Sequence, residues 1–159
     1  MNKKSKKKPG GSSIAVNRKA HHDYILHERM QAGLVLEGWE VKSLRQGRAQ
    51  ISESYVIINQ GEVWLVGGHI PPLITASTHI KHDSGRTRKL LLNRREIGKL
   101  VGATQRKGFT IVPLKIYWSK KHAKLEIAVA EGKKTHDKRQ STKERDWNRQ
   151  KQRVMKRGK

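Results

Sequence analysis

Both ends of this 159-residue chain are too charged to pack a core. From Gly132 to Lys159 there are 12 Lys/Arg against 3 Asp/Glu, and only Trp147, Val154 and Met155 offer apolar area. From Met1 to Lys19 there are 7 Lys/Arg and no acid at all. Ordering a residue's backbone costs about 1–2 kcal/mol, so segments like these stay unfolded until a polyanion neutralises them. Any core must come from the stretch between. The chain therefore divides into a disordered basic arm over 1–13, a folded domain over 14–131, and a basic tail over 132–159 that is disordered when free.

The formal net charge is +23, most of it held by the two ends. An excess of this size draws phosphates without regard to sequence, with an affinity that falls steeply as salt rises. Acidic lipids would attract the same arms, but no apolar run spans a bilayer and neither arm has a stripe wide enough to lie on one. The N-terminal bases are not followed by an apolar segment, so a signal peptide is not expected. The absence of cysteine excludes a disulfide framework and thiolate metal sites, and fits a reducing cytoplasm.

Within the middle stretch, Ile14–Asn17 reads as a weak strand and Tyr24–Leu36 as a long one, bulged near Gly33. Gly38–Gly47 repeats apolar positions at helical spacing, with Gly47 placed as a C-terminal cap. Ser54–Gln60 and Glu62–Gly68 flank Asn59-Gln60-Gly61, a hairpin turn in which glycine suits a positive φ. Residues 75–89 are polar and read as loop. Asn93 is a candidate N-cap for a helix over Arg94–Ala103 with Ile97, Leu100 and Val101 on one face. Phe109–Trp118 and Lys124–Ala130 read as closing strands, joined by a basic connection with no residue that specifies a tight turn. The fold expected is mainly β: an antiparallel six-stranded OB-type barrel with two or three short helices.

Several side-chain groups invite a chemical reading. Arg86-Thr87-Arg88-Lys89 suits a cationic edge for phosphates, or is an ordinary solvated loop; Arg45, Arg48, Arg94 and Lys124 could join it. Trp39, Trp64, Trp118, Tyr55 and Tyr117 fit the core better than base stacking. His21-His22-Asp23 and His79-x-x-His82-Asp83 lack metal-ligand spacing, and nothing pairs a His with a second acid or base for catalysis. The tail is helix-permissive from Lys143; if helical, Trp147, Lys151, Val154 and Met155 share a narrow face. It is then either a solvated tail or a segment that folds on a binding surface.

Three blocks carry a resemblance: Gly38-Trp-Glu-Val-Lys-Ser-Leu-Arg-x-Gly47, Arg86-Thr-Arg-Lys-Leu-Leu-Leu-Asn93, and Gly132-Lys-Lys-x-His-Asp-Lys-Arg139. In this order they resemble the SsrA-binding proteins, also called small protein B, from about Ile14 to Met155. The resemblance implies a bacterial, cytoplasmic, non-enzymatic RNA-binding protein with no cofactor and no metal, monomeric and off the membrane. Its implied partners are the tRNA-like domain of transfer-messenger RNA (tmRNA) and the decoding centre and mRNA channel of stalled ribosomes. The elongation factor carrying alanyl-tmRNA is an indirect partner.

By the same resemblance, Arg45, Lys89, Leu91 and Asn93 lie on or beside the tmRNA face. With the cationic candidates above and the start of the tail, the RNA-binding set becomes Gln31, Arg45, Arg48, Arg86, Arg88, Lys89, Leu91, Asn93, Lys124, Lys133 and Lys134. Gln31 stands where the family has a carboxylate, though an amide still hydrogen-bonds a base or ribose. The ribosome-binding tail would use His136, Asp137, Lys138, Arg139, Trp147, Val154 and Met155. A ribosomal or general RNA-chaperone protein is the rival reading, and an RNA-cleaving enzyme a more distant one.

Overall fold

The computed structural model describes residues 13–76, 81–133 and 135–157. Seven strands form one antiparallel sheet: β1 (Ser13–Val16), β2 (Tyr24–Leu34), β3 (Tyr55–Asn59), β4 (Glu62–Val66), β5 (Arg88–Leu91), β6 (Phe109–Ser119) and β7 (His122–Gly132). Their order is β1-β6-β3-β4-β5-β2-β7, and β6 also pairs with β7, so six strands close into a ring with β1 added outside it. Closure leaves no free edge among those six. Among the described residues, four helices accompany the barrel: α1 (Arg18–Asp23), α2 (Gly38–Arg45), α3 (Arg94–Thr104) and α4 (Thr135–Arg157).

Local chemistry explains the elements. Asn17 accepts from the Ala20 backbone N–H at 3.1 Å, which starts α1. Asn93 and Glu96 form a reciprocal capping box at the start of α3, satisfying two of the amides a helix N-terminus leaves orphaned. The β3–β4 turn places Gln60 at φ 50° and Gly61 at φ 73°, the double positive φ that matches strand twist. Inward positions of the strands supply the core: Val56, Val63, Leu65, Leu90, Ile111, Ile116, Leu125 and Ile127 are buried together with Leu100 of α3.

Three expectations change. Strand β5 occupies residues assigned to the end of a loop, and β1 is therefore a seventh strand. The β6–β7 connection is a two-residue turn, since Ser119 pairs with His122 and Lys120 takes φ 56°. The long ladder on either side fixes a conformation the turn residues alone do not favour. Tyr55 belongs on the outer face of β3, 51% exposed, rather than in the core. The tail adopts the helical form, as α4.

Candidate RNA-binding surface

The barrel's outer face collects residues that lie far apart in sequence. Gly33 of β2 pairs with Leu91 of β5 on one side and with Lys124 of β7 on the other. Two residues along β2, Gln31 pairs with Glu126. Side chains alternate across a strand, so Gln31, Leu91 and Lys124 face outward while Ala32, Leu90 and Leu125 fill the core. Leu91 is 54% exposed. A large aliphatic chain held open to solvent beside cations suits contact with a folded, anionic partner better than it suits water.

The register shift of β2 lies between Leu26 and Arg29 rather than near Gly33, and Gly33 has a different structural part. A Cβ there would sit 3.1 Å from Leu91 Cβ, so glycine is what lets the Leu91 side chain lie across β2. Next to it, a cleft of about 310 Å³ runs between the end of β2, helix α2 and the β6–β7 turn. Leu34, Leu36, Val41 and Trp118 give it apolar walls, and Lys121, His122 and Lys124 a cationic rim. Arg45 and Arg48 are exposed at and beyond the end of α2. Asn93 is exposed too, its side-chain oxygen accepting from the Glu96 N–H at 2.9 Å. Lys89 sits on the same outer row as Leu91 and pairs with Glu62 at 3.0 Å.

One predicted member, Arg88, leaves the set, and a second, Arg86, is tied inward while staying partly exposed. Arg88 is fully buried, pointing inward from β5. Its Nε donates to Glu40, and its remaining nitrogens donate to the carbonyls of Gly68 (2.8 Å), Arg86 (3.0 Å) and Ser84 (3.0 Å). A fully buried guanidinium with four interior hydrogen bonds is out of reach of phosphate. Arg86 is also drawn inward: its Nη2 donates to Glu40 and its Nε lies 3.7 Å from Glu37. Burial alone would raise the Glu40 carboxyl, but the Glu37 backbone N–H and the two guanidiniums outweigh it and hold the group below the usual carboxylate range. These arginines join α2 to β5 and to the preceding loop, and so build the wall on which Leu91 and Asn93 stand.

The tail residues form a separate surface. Lys133 donates from its backbone N–H to Asp23 O at 2.9 Å. Lys134 and the side chains of His136 and Asp137 lie outside the described residues. Lys138 lies 3.6 Å from Asp23, and Arg139 is exposed. Trp147, Val154 and Met155 are 68%, 71% and 64% exposed on α4, an apolar stripe open to solvent. Among the described residues, no three His, Asp or Glu side chains gather as a metal site, and no helix is long and apolar enough to cross a membrane. His82 instead meets the Trp39 ring edge-on, centroids 5.0 Å apart.

A small OB-type barrel with a cationic, partly apolar outer face and a long basic helix is built to meet a polyanion at two separate places. The SmpB protein family matches residues 14–157, and the chain belongs to that family. It is 57% identical over 156 residues to the SsrA-binding protein of Coxiella burnetii (strain Dugway 5J108-111), covering 98% of both chains. It is 58% identical to the SsrA-binding protein of Alkalilimnicola ehrlichii, covering 95% of this chain and 94% of that one. A solved chain from "tmRNA-SmpB: a journey to the center of the bacterial ribosome" superposes with a TM-score of 0.63 at 41% identity, over 76% of this chain and 84% of that chain.

Proposed function

We propose that this chain is a non-enzymatic factor of trans-translation: it binds the tRNA-like domain of tmRNA and delivers it to stalled ribosomes in the cytoplasm. The observation that carries this is the Gly33–Leu91–Lys124 register, which gives a family member one shaped, cationic face for a folded RNA. Phosphate contacts from Lys124, Lys121, Arg45 and Arg48 set affinity, while Leu91, Asn93, Gln31 and the adjoining cleft read shape. The tail, with His136, Asp137, Lys138 and Arg139 near its start and Trp147, Val154 and Met155 further on, engages the decoding centre and the empty mRNA channel. Positioning is the whole of its chemistry; no side-chain pair is assigned to bond making or breaking.

The test is affinity for the tRNA-like domain of tmRNA against an ordinary tRNA of similar length, each across a salt series. A preference for the first that survives as salt weakens both is the expected result. Equal affinities with parallel slopes would mean that charge alone binds RNA, and the chain would then act as a general RNA chaperone.

A further inference from the structure

Beyond Gly33 and Lys124, the outer face of the barrel continues across β2, β7 and β6 as a row in which an acid stands among cations. Gln31 of β2 pairs with Glu126 of β7, and Glu126 pairs on its other side with Lys115 of β6. The adjoining residues Met30, Leu125, Ile127 and Ile116 are buried, so by alternation Gln31, Glu126 and Lys115 point outward. Glu126 holds a cation with each oxygen: Arg29 Nη1 lies 3.5 Å from Oε1 and Lys115 Nζ 3.4 Å from Oε2. The Glu126 side chain is 17% exposed, whereas those of Arg29 and Lys115 are 52% and 42% exposed. The carboxylate is the sunken member of the three, and the cations are the ones a partner meets.

Lys115 is seated a second time. Its ammonium lies 5.5 Å from the centroid of the Tyr117 ring, within reach of attraction by the ring face, and Tyr117 is buried. Burial raises the Tyr117 phenol above its ordinary pKa, and the Glu126 charge adds to the shift, so the seat stays neutral. The register of β6 against β7 shifts between Pro113 and Lys115. That irregularity lets Leu114 pack with Ala20 of α1 while the very next residue still reaches the outer face. Tyr117 pairs with Lys124, and Lys124 with Gly33, so the row is continuous with the face that carries Leu91.

We propose that Arg29 and Lys115 are further phosphate contacts of the RNA face, and that Glu126 is the brace that fixes the distance and direction between them. The proposal rests on the RNA-binding reading of this face and extends it by one strand, to β6. Two cations on long stems with no acid between them repel and spread, and each must be ordered when RNA arrives, which lowers affinity. Loose cations serve any RNA equally. A pair held at a set spacing before binding favours an RNA whose folded backbone presents phosphates at that spacing. Glu126 is therefore a positioning residue, acting on RNA through Arg29 and Lys115, and its place in a strongly basic surface lowers net charge in exchange for discrimination.

The experiment is a mutant cycle on the full chain: the parent, Glu126→Gln, Arg29→Ala with Lys115→Ala, and all three substitutions together. For each, affinity is measured for the tRNA-like domain of tmRNA and for an ordinary tRNA across a salt series. Removing the acid raises net charge, and charge alone would tighten both RNAs by the same factor and leave their ratio untouched. The brace predicts that Glu126→Gln lowers the preference for the tRNA-like domain about fivefold, the lower range for one well-placed contact. In the background lacking both cations, the same substitution should leave the ratio unchanged, because residues that act as a unit are not additive. Thermal unfolding should barely move, since partly exposed ion pairs add little stability. A ratio untouched by Glu126→Gln, an equal fall without the two cations, or a large loss of thermal stability would overturn the brace and leave the tmRNA reading standing. A parent with no preference between the two RNAs would fail that reading itself, and the brace with it.

Discussion

The β2–β5–β7 face and helix α4 are both cationic surfaces, yet they are built in opposite ways. On the barrel, the outward residues of β2, β5 and β7 stand on strands closed into a ring, and Gly33 pairs with Leu91 on one side and Lys124 on the other. Beneath, the fully buried Glu40 and Arg88 tie α2 to β5. On α4, the side chains from 143 to 156 are exposed, and near its base Lys133 and Lys138 contact Asp23. A helix so short of apolar contacts is marginal in isolation. Shape recognition belongs on the over-determined surface, and a role that needs adaptation belongs on the other.

The largest expected effect tests how far the barrel is over-determined. Glu40→Ala leaves Arg88 buried without its counter-charge and should cost about 3–5 kcal/mol of stability, read by denaturant unfolding. The same carboxylate sets an acid limit. Because its folded pKa lies below the ordinary value, its contribution is fully present above the unfolded value of about 4.3. It is lost as pH falls through the lower folded pKa. Melting curves for Glu40→Ala should therefore converge on those of the parent at low pH; a constant gap would place the stabilisation elsewhere.

Next comes Gly33→Val, which forces side-chain atoms against Leu91. A loss of about tenfold in affinity for the tRNA-like domain is expected, roughly 1.4 kcal/mol, with little change for ordinary tRNA. A uniform loss for both RNAs would make Gly33 a folding residue only. Lys124→Ala should weaken every RNA alike and flatten the salt dependence by about one ion. Smallest of all, Trp147→Ala should leave unfolding within about 0.5 kcal/mol of the parent, since the ring is 68% exposed on α4. A larger shift would mean that the tail packs on the barrel.

Much of the barrel was legible because its signals are local. Asn59-Gln60-Gly61 marks a hairpin, Asn93 starts a helix, and alternation in Leu125, Ile127 and Val129 gives a strand. Strand β5 was hidden because Arg88 takes an inward position, so a four-residue strand shows no apolar alternation at its start. Its partner Glu40 lies 48 residues away, a pairing no local pattern reveals, and the same blindness made a structural arginine look like a phosphate contact. Tyr55 was misplaced because residue type does not say which face of a strand is buried. Gln31 and Leu91 came from resemblance and Lys124 from its charge, and no periodicity groups them, since register between distant strands is set by the closed ring.

The division of labour between barrel and tail is tested most directly by ending the chain after Gly132 and measuring two things on the same preparation. These are affinity for the tRNA-like domain of tmRNA and tagging on stalled ribosomes. The account requires affinity to stay close to that of the full chain while tagging is abolished. A truncated barrel that lost its preference for the tRNA-like domain, or one that still supported tagging, would contradict it.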